Sequence, residues 1–134
     1  MALKEADDKS KRLQLLTELQ QSSHLTPSQK NWLKDEYHRV LKGVQGERDA
    51  AFYLDSYFKD SANHVVMHDL RFVVEGVVAQ IDHLVITRAA GMFLFETKNY
   101  TGNLHINEMG EFTAVYGRER YGIPSPIEQS HRHE

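Results

Sequence analysis

Two apolar runs, Ile81-Asp82-His83-Leu84-Val85-Ile86 and Phe93-Leu94-Phe95-Glu96-Thr97-Lys98, carry two acids and a lysine where a strand core tolerates few charges. β-branched and aromatic residues dominate both, which reads as a pair of strands joined through Arg88-Ala89-Ala90-Gly91. Taking a lone carboxylate or ammonium out of water is costly, so these groups need partners: one another, or a cation. Any fold proposed for this chain has to bring those partners together.

Side chains alternate along a strand, so Glu96 and Lys98 share one face, and Asp82 shares its face with Leu84 and Ile86. In an antiparallel hairpin centred on Ala89, Asp82 and Glu96 each lie seven residues from the centre and stand opposite one another. A slip of one residue would turn Asp82 to the other side of the sheet. Neighbouring carboxylates repel, and one resists ionising unless a cation lies between them. Mg²⁺ fits such a pair, with Mn²⁺ as a substitute, because it takes oxygen ligands, keeps several waters and uses one or two carboxylates with substrate phosphate. Two acids and a lysine on adjacent strands therefore point to metal-dependent phosphodiester chemistry, with Lys98 orienting the attacking water or offsetting charge at phosphorus. The plain alternative is a surface ion pair between Glu96 and Lys98 at a strand end. An aspartate amid strong β-formers is harder to explain that way.

The rest of the chain frames the hairpin. Leu13, Leu15, Leu16 and Leu19 form a narrow stripe over Lys9 to Gln21, which predicts an amphipathic helix. Thr26-Pro27-Ser28-Gln29 is a helix start with an N-cap, proline at the first helical position and a capping box. The helix that follows would face a core with Trp32, Leu33, Tyr37, Val40 and Leu41, and Gly43 is its expected stop. Another helix is predicted from Gly46 to Phe58, with Ala50, Ala51, Leu54, Tyr57 and Phe58 inward. Strands follow at His64 to Phe72, Val77 to Thr87 and Met92 to Asn99, with a turn at Glu75-Gly76. Apolar residues on both faces of the third mark it as a central strand covered on both sides. Shorter strands are expected at Asn103 to Ile106, Glu111 to Tyr116 and Glu119 to Tyr121. Pro124-Ser125-Pro126 then opens a short terminal helix. The division expected is a helical extension over residues 1–43 and an α/β domain over residues 44–134. So short a last helix predicts a fragment of a longer chain.

With 134 residues and 40% hydrophobic content, the chain suits one domain with a real core. It has no cysteine, which removes disulfides and thiolate metal sites and fits a cytoplasmic location. The charged N-terminus is unlike a signal peptide, and no apolar run is long enough to cross a bilayer, so no membrane role is expected. The net charge of −3 gives no general attraction to nucleic acid, so binding would need a local basic patch.

Four blocks in order, namely Gly46-Glu47, Gln80-Ile81-Asp82-His83-Leu84-Val85-Ile86, Phe95-Glu96-Thr97-Lys98-Asn99-Tyr100 with Gly102, and Pro126-Ile127-Glu128-Gln129, resemble the nuclease-related domain (NERD) family of the PD-(D/E)xK nuclease superfamily. The resemblance runs from about Val44 to the C-terminus. It implies an α/β, restriction-endonuclease-like core of order α-β-β-β-α-β, with a mainly antiparallel central sheet flanked by helices and its last strand missing here. It further implies that Asp82 and Glu96 hold Mg²⁺, that Lys98 assists the water, and that Glu47 and Gln129 reach the same pocket from the two core helices. DNA or RNA would be the substrate. The alternatives are a non-catalytic binding or interaction module that keeps this fold, and self-association through the helical extension.

Other candidates carry less. Glu47 alone reads first as an acid favouring a helix N-terminus, and the site role balances that reading only once the resemblance is counted. His64 and His68 would share a strand face about 13 Å apart, His83 would point away from Asp82, and His131 and His133 are terminal, so the spacing argues against a zinc site. Lys98, Arg118, Arg120 and Arg132 are candidates for a basic rim, and Tyr100, Tyr116 and Tyr121 for base stacking.

Overall fold

The hairpin register expected from a turn centred on Ala89 is the observed one. In the computed structural model, which describes residues 2–131, His83 pairs with Phe95, Leu84 with Leu94, Val85 with Phe93 and Ile86 with Met92. These pairs join strands β3 (Val77–Thr87) and β4 (Met92–Phe95). The loop between them closes with Ala90 in the left-handed region at φ 63° and with the Thr87 N–H donating to the Gly91 carbonyl. That is the geometry of a three-residue hairpin loop.

Strand β2 (His64–Val74) pairs antiparallel with β3 through a two-residue turn. Both turn residues, Glu75 (φ 50°) and Gly76 (φ 81°), have positive φ, as a type I′ turn requires. A short strand β1 (Ala2–Lys4), not anticipated from sequence, runs parallel to β2 on its outer side. The order of this sheet is β1-β2-β3-β4. Strand β4 therefore lies at an edge rather than in the centre, and Phe93 is 55% exposed. It also stops four residues earlier than its composition suggests. The Thr97 N–H donates to the Asp82 side chain instead of a ladder carbonyl, which takes Glu96, Thr97 and Lys98 out of regular pairing.

Strands β5 (Asn103–Ile106), β6 (Phe112–Tyr116) and β7 (Glu119–Ile123) form a separate antiparallel sheet in that order. A terminal helix follows over Pro126–His131. The chain is thus a mixed α+β protein with two mostly antiparallel sheets and helices. Arg132 and His133 lie outside the described residues.

Helix α1 (Ser10–Gln20) packs against helix α2 (Pro27–Phe58) and buries Leu16, while Leu15 and Leu19 remain exposed. The start of α2 is as read from sequence: Thr26 Oγ1 accepts the Gln29 N–H at 3.2 Å, and Gln29 Oε1 accepts the Thr26 N–H at 2.9 Å. Its end is not. Gly43 does not stop the helix, which runs on through Gly46 to Phe58, 32 residues in all. Gly46 answers a different need, since a Cβ there would stand 2.7 Å from Asn99 Cβ. The missing side chain lets the segment after β4 cross the helix, where Asn99 Nδ2 donates to the Lys42 carbonyl at 2.9 Å. Leu33 and Ala51 are buried as expected, whereas Trp32 is 63% exposed and Tyr57 lies on the surface. The centre of the first sheet holds Val66 and Val85, both fully buried and each contributing about 1.5–3 kcal/mol.

Candidate active site

Asp82 and Glu96 adjoin the last β3–β4 pair, His83–Phe95, and the two line one cleft of about 470 Å³ with Arg71, Val78, Gln80 and Gln129. Three contacts set their side chains. Asp82 Oδ2 accepts the Thr97 backbone N–H at 2.8 Å. Glu96 Oε1 accepts from Gln129 Nε2 at 2.9 Å, which ties the terminal helix to the hairpin, and lies 3.1 Å from Lys98 Nζ. Lys98 thus shares the side of Glu96, as strand alternation predicts.

Asp82 also lines a second, adjoining cleft of about 560 Å³ with Glu47 of α2 and Asp69 of β2. Four of the five residues expected at the site, Asp82, Glu96, Lys98 and Gln129, therefore meet in or beside the first cleft. Glu47 reaches Asp82 from the second. It does not stand there alone: its carboxylate pairs with Lys9, which also bonds Asp69 Oδ1 at 2.9 Å. Burial raises the Glu47 pKa, and the neighbouring Asp82 and Asp69 charges add to that, although Lys9 opposes it. Asp69 is also partly desolvated, but bonds from Lys9 and from the Asp7 backbone N–H outweigh this and hold its pKa below the ordinary carboxylate value. For Lys9, burial acts against the ammonium and is outweighed by both acids, so its pKa is raised.

Sequence reasoning missed Asp69, Lys9 and Thr97. A signal for the first was present. A turn centred between Glu75 and Gly76 puts Asp69 opposite Asp82, between the observed pairs His68–His83 and Leu70–Ile81. Asp69 itself is left-handed, at φ 50°, a conformation aspartate tolerates better than most residues. Nothing in the sequence pattern joins Lys9 to Glu47. Among the described residues of the expected basic rim, only Lys98 is at the cleft; Arg118 and Arg120 belong to the β6–β7 hairpin and line neither cleft. Arg71 lines both clefts and has no ion-pair partner among the described residues.

Among the described residues, no group of three or more histidine or acidic side chains is gathered as a ready-made cage. A catalytic zinc site needs about three protein ligands. Mg²⁺ makes a smaller demand on the protein, one or two carboxylates with water and substrate phosphate.

The chain belongs to the nuclease-related domain (NERD) family, which matches residues 42–134. It is 32% identical over 94 residues to an uncharacterized protein of Bacillus anthracis, an alignment covering 69% of this chain and 43% of that protein. The chain thus spans less than half of that relative's length. No solved structure matches it. The family match begins inside α2 and leaves out β1, α1 and Lys9. Among the described residues, no helix is long and apolar enough to cross a membrane.

Proposed function

We propose that this domain hydrolyses phosphodiester bonds of DNA or RNA with Mg²⁺, or Mn²⁺ in its place, held by Asp82 and Glu96. The observation that carries the reading is the convergence of those two carboxylates, Gln129 and Lys98 at one cleft. When bound, the ion supplies Lewis-acid polarisation of a phosphoryl oxygen and lowers the pKa of a ligated water. Lys98 orients the attacking water and offsets charge developing at phosphorus. Gln129 holds Glu96 in place through their hydrogen bond. Glu47 adds negative charge beside Asp82, and Arg71 offers a cation for the phosphate backbone where the two clefts adjoin. The absence of cysteine fits action in the cytoplasm.

The second reading is a nucleic-acid-binding or interaction module that keeps the fold without cleavage. It is favoured by Lys9, which already supplies a cation to Glu47 and Asp69. Calorimetric titration with Mn²⁺ tests the metal site. One ion per chain is expected for the parent, with binding abolished in Asp82→Asn and Glu96→Gln. Undiminished binding in both variants would remove the ion from this cleft.

A further inference from the structure

Behind the acidic hairpin lies a line of polar groups that the proposed chemistry does not use. Asp55 of α2, His68 of β2, His83 of β3 and Thr97 after β4 form one continuous chain of hydrogen bonds. His68 Nε2 meets Asp55 Oδ1 at 2.8 Å, His68 Nδ1 meets His83 Nδ1 at 2.8 Å, and His83 Nε2 meets Thr97 Oγ1 at 2.9 Å. The two rings are only 1% and 2% exposed. Every ring nitrogen is therefore used within the protein, and the cost of burying two imidazoles is met by one another and by the ends of the chain.

With both rings neutral, the partners fix every proton. An ionised carboxylate only accepts, so His68 Nε2 carries the hydrogen and its Nδ1 is bare. His83 must then donate from Nδ1, which leaves its Nε2 as an acceptor. The Thr97 hydroxyl therefore donates to His83. Thr97 is thus gripped twice, by His83 at its hydroxyl and by Asp82 at its backbone N–H. Glu96 and Lys98 flank it and meet each other at 3.1 Å.

We propose that Thr97 is a positioning residue for Glu96 and Lys98, clamped between Asp82 and a buried Asp55–His68–His83 relay anchored on α2. Because β4 ends at Phe95, this clamp takes over from the strand ladder in holding the next three residues. The relay sets the side-chain end of the clamp and Asp82 the backbone end, so a loss at either loosens the acid and the lysine together. The clamp stands on the geometry alone; its effect on metal binding and cleavage rests on the function proposed above.

Thr97→Val keeps the shape of the side chain, removes the donor and leaves His83 Nε2 bare, whereas Thr97→Ser keeps the donor. In the full chain, Thr97→Val is expected to weaken Mn²⁺ binding about tenfold and to lower kcat with KM for nucleic acid unchanged, while Thr97→Ser stays within about twofold of the parent. Amide hydrogen exchange, followed by NMR, reads the clamp without metal. Exchange at Thr97 and Lys98 should accelerate in Thr97→Val and, from the remote and partly exposed end of the relay, in Asp55→Ala, but not in Thr97→Ser. Parent-like exchange at both amides in Thr97→Val and Asp55→Ala would overturn the proposal, as would a serine variant as impaired as valine. A parent that binds no Mn²⁺ would defeat the functional reading, and the exchange rates would then decide the clamp by themselves.

Discussion

Thr97 donates its backbone N–H to Asp82 Oδ2 at 2.8 Å, so a carboxylate proposed to hold metal also ends strand β4. Replacing Asp82 therefore has two consequences, and the choice of substitution separates them. Asp82→Ala removes the acceptor as well as the charge and should cost about 1.5–3 kcal/mol, as expected for a hydrogen bond to a charged group. Asp82→Asn keeps a carbonyl acceptor and should cost about 1 kcal/mol or less while still abolishing metal binding. Urea denaturation of the two variants checks the difference.

Lys98 contacts Glu96 but does not belong to the proposed pair of metal ligands. Lys98→Ala should lower kcat by about 100-fold or more, as loss of a group acting on the attacking water does. Mn²⁺ affinity should stay near the parent value or tighten, because a positive charge leaves the neighbourhood of Glu96. Single-turnover cleavage beside a metal titration reads both.

The two glycines within α2 should respond in opposite directions. A Cβ at Gly43 meets nothing within 4 Å, so Gly43→Ala should stabilise the chain by about 0.5–1 kcal/mol through helix propensity. A Cβ at Gly46 would stand 2.7 Å from Asn99 Cβ, so Gly46→Ala should forfeit that gain, displace Asn99 and weaken its bond to the Lys42 carbonyl. Thermal midpoints that rise equally for both would contradict the crossing described here.

The acids around Lys9 predict a pH dependence with a defined sign. Burial raises the Glu47 pKa above its unfolded value, so its contribution to stability is full below that value and falls as pH rises through the folded one. Asp69 is lowered, with the bonds from Lys9 and Asp7 outweighing its burial; its contribution is present above its unfolded value and is lost in acid. Glu47→Gln removes the first effect and leaves Asp69 its own bonds from Lys9 and Asp7. Measured in EDTA, the stability of this variant relative to the parent should therefore increase as pH rises from the ordinary glutamate pKa through the raised one. A difference that shrinks over that range would mean that the Lys9 charge outweighs the burial of Glu47.

The legible parts of the molecule were those set by short-range rules. The capping box at Thr26, the turn at Glu75-Gly76 and the register around Ala89 depend on residues close in sequence. All three are present in the structure, and the register around Ala89 brings Asp82 and Glu96 to one cleft. Gly43 misled because a glycine can be tolerated inside a helix when tertiary packing supports it. The end of β4 misled because a side-chain acceptor, Asp82, replaced a backbone one. Lys9 was illegible because it reaches Glu47 across 38 positions, with no local pattern to announce it, whereas the His68–His83 contact follows from the register of the Glu75-Gly76 turn. Asp69 was within reach, since the turn that fixes β2 against β3 also places it opposite Asp82.

Cleavage itself is the most direct measurement of the central claim. Labelled single- and double-stranded DNA and RNA should be incubated with the parent, Asp82→Asn and Lys98→Ala, in Mg²⁺ or Mn²⁺ and in EDTA. The account predicts cleavage of at least one substrate by the parent, dependent on the divalent ion and lost or strongly reduced in both variants. Cleavage that persists undiminished in both, or a parent that binds Mn²⁺ and nucleic acid but cuts none of the four, would contradict it.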